Sequence, residues 1–160
     1  MDARSAADST ATLAHWMGPL DANGAGFVHG GTVMKLCDEA AGLAAVKHSR
    51  GRVVTASMDR MTFMVPIHVG EIVTFQAAVN AVWHTSMEVG VRVDTEDPRT
   101  GKRRHSNSAY LTMVAVDEEG HPVEVPPLLT STPEELRREG DAQLRRTNRL
   151  AEREQIKAGR

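Results

Sequence analysis

The stretch from Gly31 to Lys47 limits the fold more than any other. Its interior is built from Ala40, Ala41, Gly42, Ala44 and Ala45. Such small side chains suit a helix that other backbone approaches closely on several faces, and Gly42 costs roughly 1 kcal/mol against alanine there. A curved sheet wrapped around one helix is such an environment. His48, Ser49, Arg50 and Gly51 end the helix, and its basic last turn suits the negative end of the helix dipole.

Beyond the helix the chain reads as strand. Arg52 to Val65 is one long strand, stopped by Pro66. From Ile72 to Trp83, Val73, Phe75, Ala77, Val79 and Ala81 alternate with Thr74, Gln76 and Asn80. Met87 to Asp94 alternates too, with Met87, Val89, Val91 and Val93 against Glu88, Gly90 and Arg92. Arg103 to Asp117 is the last of the four. The connections are short, so neighbouring strands are antiparallel. With a weak first strand over Thr10 to Met17, the order is strand, helix, meander. The predicted class is α+β, because the later strands lack crossover helices.

At 160 residues the chain is one domain, 10–129, flanked by a disordered N-terminus, 1–9, and a charged helical tail, 130–160. Thr132, Pro133 and Glu135 make a capped start for the tail helix, which is expected to lie at the periphery, break near Gly140 and fray. A net charge of -2 carries no field that would draw nucleic acid or an anionic membrane. No apolar run reaches the roughly 20 residues of a membrane span. The one cysteine, Cys37, excludes an internal disulfide and fits a reducing compartment, so a cytoplasmic location is expected.

Three features between Asp21 and His48 could carry chemistry. Asp38 lies amid Cys37, Ala40 and Ala41, where a buried carboxylate is costly unless bonded or functional. It could equally share a solvated stripe with Lys35 and Glu39. His29, Gly30 and Gly31 open the helix, either as a tight turn or as bare amides facing a developing oxyanion. Asn23 is a turn residue or a side-chain amide that orients a water or a carbonyl. Gly31 and Asp38 are seven residues apart, roughly 10 Å along the helix. If both act on one carbonyl they come from two copies of the chain. The scattered histidines give no metal-ligand spacing, and no serine stands in a nucleophile-elbow context.

These motifs occur in order: DxNxxGxxHGGxxxKxxDE from Asp21, VTASxDxMxF from Val54, PIxVGE from Pro66 and TSMEVxV from Thr85. Over roughly residues 12–127 the chain resembles the acyl-CoA thioesterases of the hotdog fold, in the branch of cytosolic acyl-CoA hydrolases. The resemblance implies an antiparallel sheet around one long helix, homodimers that join their sheets, often as trimers of dimers, and hydrolysis of acyl-CoA to free acid and coenzyme A. No cofactor is implied beyond the coenzyme A of the substrate. It implies catalytic roles for Asn23 and Asp38, with Gly30 and Gly31 at the oxyanion. The coenzyme A contacts it suggests are His29, Val53, Val54, Thr55, Thr85 and Ser86, with Arg103 and Arg104 on the phosphates. An apolar channel between Met34, Met58, Met61 and Phe63 would take the acyl chain. Two other readings share the fold: an enoyl-CoA hydratase using His29 with Asp38, and a non-catalytic acyl-CoA sensor.

Overall fold

A computed structural model describes residues 1–160. One long helix, α1 (Gly30–Ser49), lies against a five-stranded antiparallel sheet. The strands are β2 (Ala11–Trp16), β3 (Arg52–Met58), β4 (Ile72–Val82), β5 (Ser86–Glu96) and β6 (Arg103–Val116), in the order β2-β4-β5-β6-β3. A two-stranded parallel pair joins β1 (Arg4–Ser5) to β7 (Leu128–Leu129), and a second helix, α2 (Pro133–Ala158), closes the chain.

The alanine-rich helix takes its predicted place. Cys37, Ala40, Ala41, Ala44 and Ala45 are wholly buried against Val73, Phe75, Val89, Val91, Val93 and Leu111 of the sheet. The small side chains let the sheet curve close around the helix axis, and a larger residue at any of them would overpack the contact. The opposite stripe of α1, with Gly31, Met34, Asp38 and Gly42, is left open by the core-forming strands: nothing stands within 4 Å of where a Cβ on Gly42 would be, and only Thr55 of the edge strand reaches Asp38.

Three boundaries differ from those the sequence predicts. Residues 4–9 are ordered where disorder is expected. Ser9 is buried, its hydroxyl donating to Ala6 O and accepting from Val79 N, and Arg4 Nη1 donates to His48 O. The first strand after α1 stops at Met58, well short of Val65. Asp59 N still donates to Tyr110 O, but residues 60–66 continue alongside β6 with no strand pairing. The tail helix runs unbroken through Gly140, capped by Thr132 and Glu135. Leu136, Leu144, Leu150 and Ile156 are exposed, and α2 docks through arginines instead.

The end of α1 meets the N-terminal pair at His48, which is buried, with Nε2 on Pro126 O and Nδ1 without a partner. Burial holds its pKa below the ordinary histidine value, against the opposing Pro126 bond. The fold therefore favours neutral His48, and the stability it contributes is full above the unfolded pKa and is lost as pH falls below it. Melting temperature is expected to drop from about pH 7 to about pH 5, and to drop less in His48→Gln, as followed by calorimetry.

Candidate active site

Asp38 is the ninth residue of α1, half-buried, on the stripe opposite the alanine face. Thr55, on the inward face of β3, donates its hydroxyl to Asp38 Oδ1 at 2.5 Å. This bond ties the helix to the edge strand and fixes the carboxylate's rotamer. Asp38 Oδ2 has no hydrogen-bond partner within the chain. Thr55, expected as a coenzyme A contact, is brought by the structure to the aspartate. The signal lay in strand parity: Thr55 and Val53 share the face that looks at α1.

The loop before α1 is wound by its own polar groups. Asn23 Oδ1 accepts from Ala25 N at 2.9 Å and Phe27 N at 3.2 Å, and Asn23 N donates to Phe27 O. The side-chain oxygen is thus committed to the turn, and the exposed NH2 is left as a donor. Gly26 takes φ +86 in this turn, a conformation that favours glycine. Upstream, Asp21 accepts from Gly18 N and from His15, and the amide bond is the larger influence holding its carboxyl below the usual range. Its backbone O receives His29 N, so the loop arrives at the helix in one orientation.

The helix start departs from the expected pair of bare amides. His29 is the N-cap, and its Nδ1 accepts from Gly31 N at 2.9 Å. Only the Gly30 amide is left unpaired by the chain. The Phe63 ring lies beside Gly30, 3.5 Å from where a Cβ would sit. Phe63 and Met34 are each nearly half exposed, and Met58 and Met61 pack on the core below, so the expected apolar channel exists only as an open wall.

The expected coenzyme A contacts do not form one site in one chain. Val53, Val54 and Thr55 pair with 113–115 of β6, which also meets Ser86, so these positions and Thr85 share one end of the sheet. Arg103 and Arg104 pair with Glu96 and Thr95, nine residues along β5 from Ser86, or about 30 Å away. Arg104 is also occupied: Nε donates to Thr95 Oγ1, and Nη2 to Pro66 O at 2.6 Å and Glu71 Oε1 at 3.0 Å. It is a strut between β6 and the 59–66 segment. Arg103 is exposed and paired with Glu96. Asp117, Glu119 and His121 lie within 4.8 Å of one another in the turn after β6, where Asp117 Oδ1 already accepts the Glu119 and His121 amides.

A profile of the thioesterase superfamily matches residues 25–102. The cytosolic acyl coenzyme A thioester hydrolase of Rattus norvegicus is 40% identical over 133 residues, 81% of this chain and 35% of that protein. The chain thus spans about a third of the length of these mammalian relatives. A hexameric acyl-CoA thioesterase, solved without ligand, is 37% identical, with a TM-score of 0.91 over 95% of this chain and 97% of its own. This chain belongs to the thioesterase superfamily, in its acyl-CoA thioester hydrolase branch. It has the hotdog fold of that branch. The acyl-CoA hydrolase of Staphylococcus aureus, solved with butyryl coenzyme A, coenzyme A and coenzyme A disulfide, is 34% identical, with a TM-score of 0.88 over 97% of this chain and 94% of its own. That enzyme was also solved with an aspartate, an asparagine or a threonine replaced by alanine. The aspartate follows the asparagine by fifteen positions, and the threonine follows the aspartate by seventeen.

Beside Asp38, Cys37 points the other way, into the core. Burial, and then the charge of Asp38, pushes its thiol up to about 12. It is protonated at neutral pH and is no nucleophile. Iodoacetamide at about pH 8 is expected to leave Cys37 unmodified in the folded protein and to label it fully in denaturant, read by intact mass.

Proposed function

We propose that this protein hydrolyses acyl-CoA to a free carboxylic acid and coenzyme A, at sites that two copies of the chain build together. The observation that carries this is the Thr55 hydroxyl on Asp38, with Asn23 fifteen residues upstream. Asn23, Asp38 and Thr55 keep the spacings of the three residues replaced in the Staphylococcus aureus enzyme.

The chemistry comes from the groups left free. Asp38 Oδ2 is the open oxygen of a fixed carboxylate, and it acts on the thioester carbonyl through an activated water or by direct attack. The Asn23 NH2 is a donor only, so it serves by orienting the attacking water or the thioester carbonyl through an oxygen. The Gly30 amide, at the positive end of α1, adds a second donor for the oxyanion. Gly31 does not join it while His29 holds its amide. Water and substrate supply all the atoms of the reaction, so the chemistry requires no group-carrying cofactor.

Sharing between copies is supported by three features. Helix start and Asp38 are roughly 10 Å apart on one helix. The stripe of Gly31, Met34, Asp38 and Gly42 is open. β3 is an edge strand with Val54 half exposed and its outer side unpaired. Pairing β3 with β3 of a second copy would continue the sheet and bring the two open stripes together. Hexameric relatives support a further assembly of such dimers into a trimer, and the rat relative's name supports a cytosolic location. No helix is long and apolar enough to cross a membrane. The hydratase reading loses support, because His29 Nδ1 is spent as the cap on Gly31.

Asp38→Ala is expected to lower thioester hydrolysis by about 10²–10⁴-fold without unfolding the protein, measured by thiol release over a panel of acyl chain lengths. Tight acyl-CoA binding with no turnover in the parent would point to a sensor instead. Co-expressing Asp38→Ala with Asn23→Ala separates shared from self-contained sites. A mixed dimer regains one intact site if the two residues come from different copies, and none if they come from the same copy.

A further inference from the structure

Glu88 is wholly buried on the outer face of β5, where an unpaired carboxylate would be prohibitive. Asn80, set out by a bulge in β4, donates to it at 3.2 Å. That reach depends on Gly90, where a Cβ would stand 2.6 Å from Asn80 Nδ2. Arg145 of α2 completes the anchor with Nη2 at 2.7 Å and Nε at 3.1 Å, its guanidinium stacked 3.7 Å above the Tyr110 ring. Glu88 is therefore satisfied without further help.

One helical turn on, Arg149 does something different. Its Nη1 lies 3.6 Å from Glu88 Oε2 and donates to both oxygens of Asp59, at 3.0 and 3.2 Å. Asp59 is the first residue past β3 and opens the 59–66 segment. That segment carries Met61 and Phe63, with the Phe63 ring beside Gly30, and Arg104 holds its far end through Pro66 O. The other link from α2, Arg60 to Glu152, is largely exposed and contributes little. Arg149 is the partly buried link between the docked helix and the near end of this segment.

We propose that Arg149 is a positioning residue: through Asp59 it fixes the Met61–Phe63 wall against Gly30, and so sets how the site grips the acyl chain. The role rests on the proposed hydrolase function, and it involves the tail helix in substrate selection. An acetyl group is too short to use the wall, whereas a long acyl chain lies along it.

The test compares full-length parent, Arg149→Gln, Arg149→Lys, Asp59→Asn and the double variant Asp59→Asn with Arg149→Gln. Two readouts are taken: kcat and KM for acetyl-CoA and a long-chain acyl-CoA, and the rate of chymotrypsin cleavage after Phe63, located by mass spectrometry. Arg149→Gln is expected to raise long-chain KM about tenfold, leave acetyl-CoA kcat within about twofold, and speed cleavage about tenfold. Arg149→Lys should recover most of both effects, and the double variant should be no worse than the single ones, because both substitutions break the same contact. Unchanged cleavage, or equal losses on short and long substrates, would overturn the proposal. If Arg149→Gln detaches α2, Asp59→Asn leaves the Glu88 anchor intact and decides the matter by the same readouts. A parent inactive on every acyl-CoA would sink the hydrolase function, while cleavage alone would still decide whether Arg149 holds the segment.

Discussion

Everything in this fold depends on how closely the sheet approaches α1. Four alanines and a cysteine present a face with almost no side-chain depth, so β4 and β5 pack their valines, and β6 its Leu111 and Met113, close against the helix. Each alanine buries little apolar area itself. What it permits is the burial of Phe75, Val89, Val91, Leu111 and Met113 on the strands, where most of the area removed from water resides. The same geometry strands the other side of α1. A sheet curved round one half of a helix leaves the other half open, and that open half carries Asp38.

The site is accordingly an edge feature. β3 is the last strand of the sheet, and Thr55 on it is the residue that reaches Asp38. The carboxylate is fixed by the protein's own edge, yet its second oxygen, the Asn23 NH2 and the Gly30 amide have no partner within the chain that supplies them. A second copy laid along β3 would exclude water from these groups and strengthen their electrostatics.

The outer face of the sheet obeys another rule. Its alternating positions are polar, and the helix that covers them is rich in arginine, so contact there is made by ion pairs rather than by leucine packing. Such contacts are directional. A buried carboxylate with bidentate Arg145 specifies where α2 sits more sharply than it stabilises the whole. That precision is useful beside a segment, 60–66, which has no ladder hydrogen bonds to hold it in place.

Much of this is legible in the residues. Alternation from Ile72 to Asp94 locates β4 and β5, small residues mark α1 as central, and Thr132 with Glu135 marks the start of α2, because each of these signals is local. The strand after α1 looks too long in sequence, because the Asp59–Val65 stretch is apolar enough to pass for strand but is held by Arg149 and Arg104 from distant parts of the chain. The order of residues 4–9 is hidden for the same reason: β7 and Ser9's bond to β4 supply it. At the site, Asp38 stands out as a carboxylate amid small apolar residues, and Asn23 is marked by its place in the ordered motif that opens at Asp21. The cap on Gly31 and the Thr55–Asp38 bond carry no such mark, since a donor's partner is chosen by three-dimensional approach. The sequence alone determined the helix, the strand faces and the candidate acid and amide, all through spacing along the chain. Only the tertiary structure decided which hydrogen bonds those groups spend internally and which they keep free, because that depends on distances between segments no local pattern records.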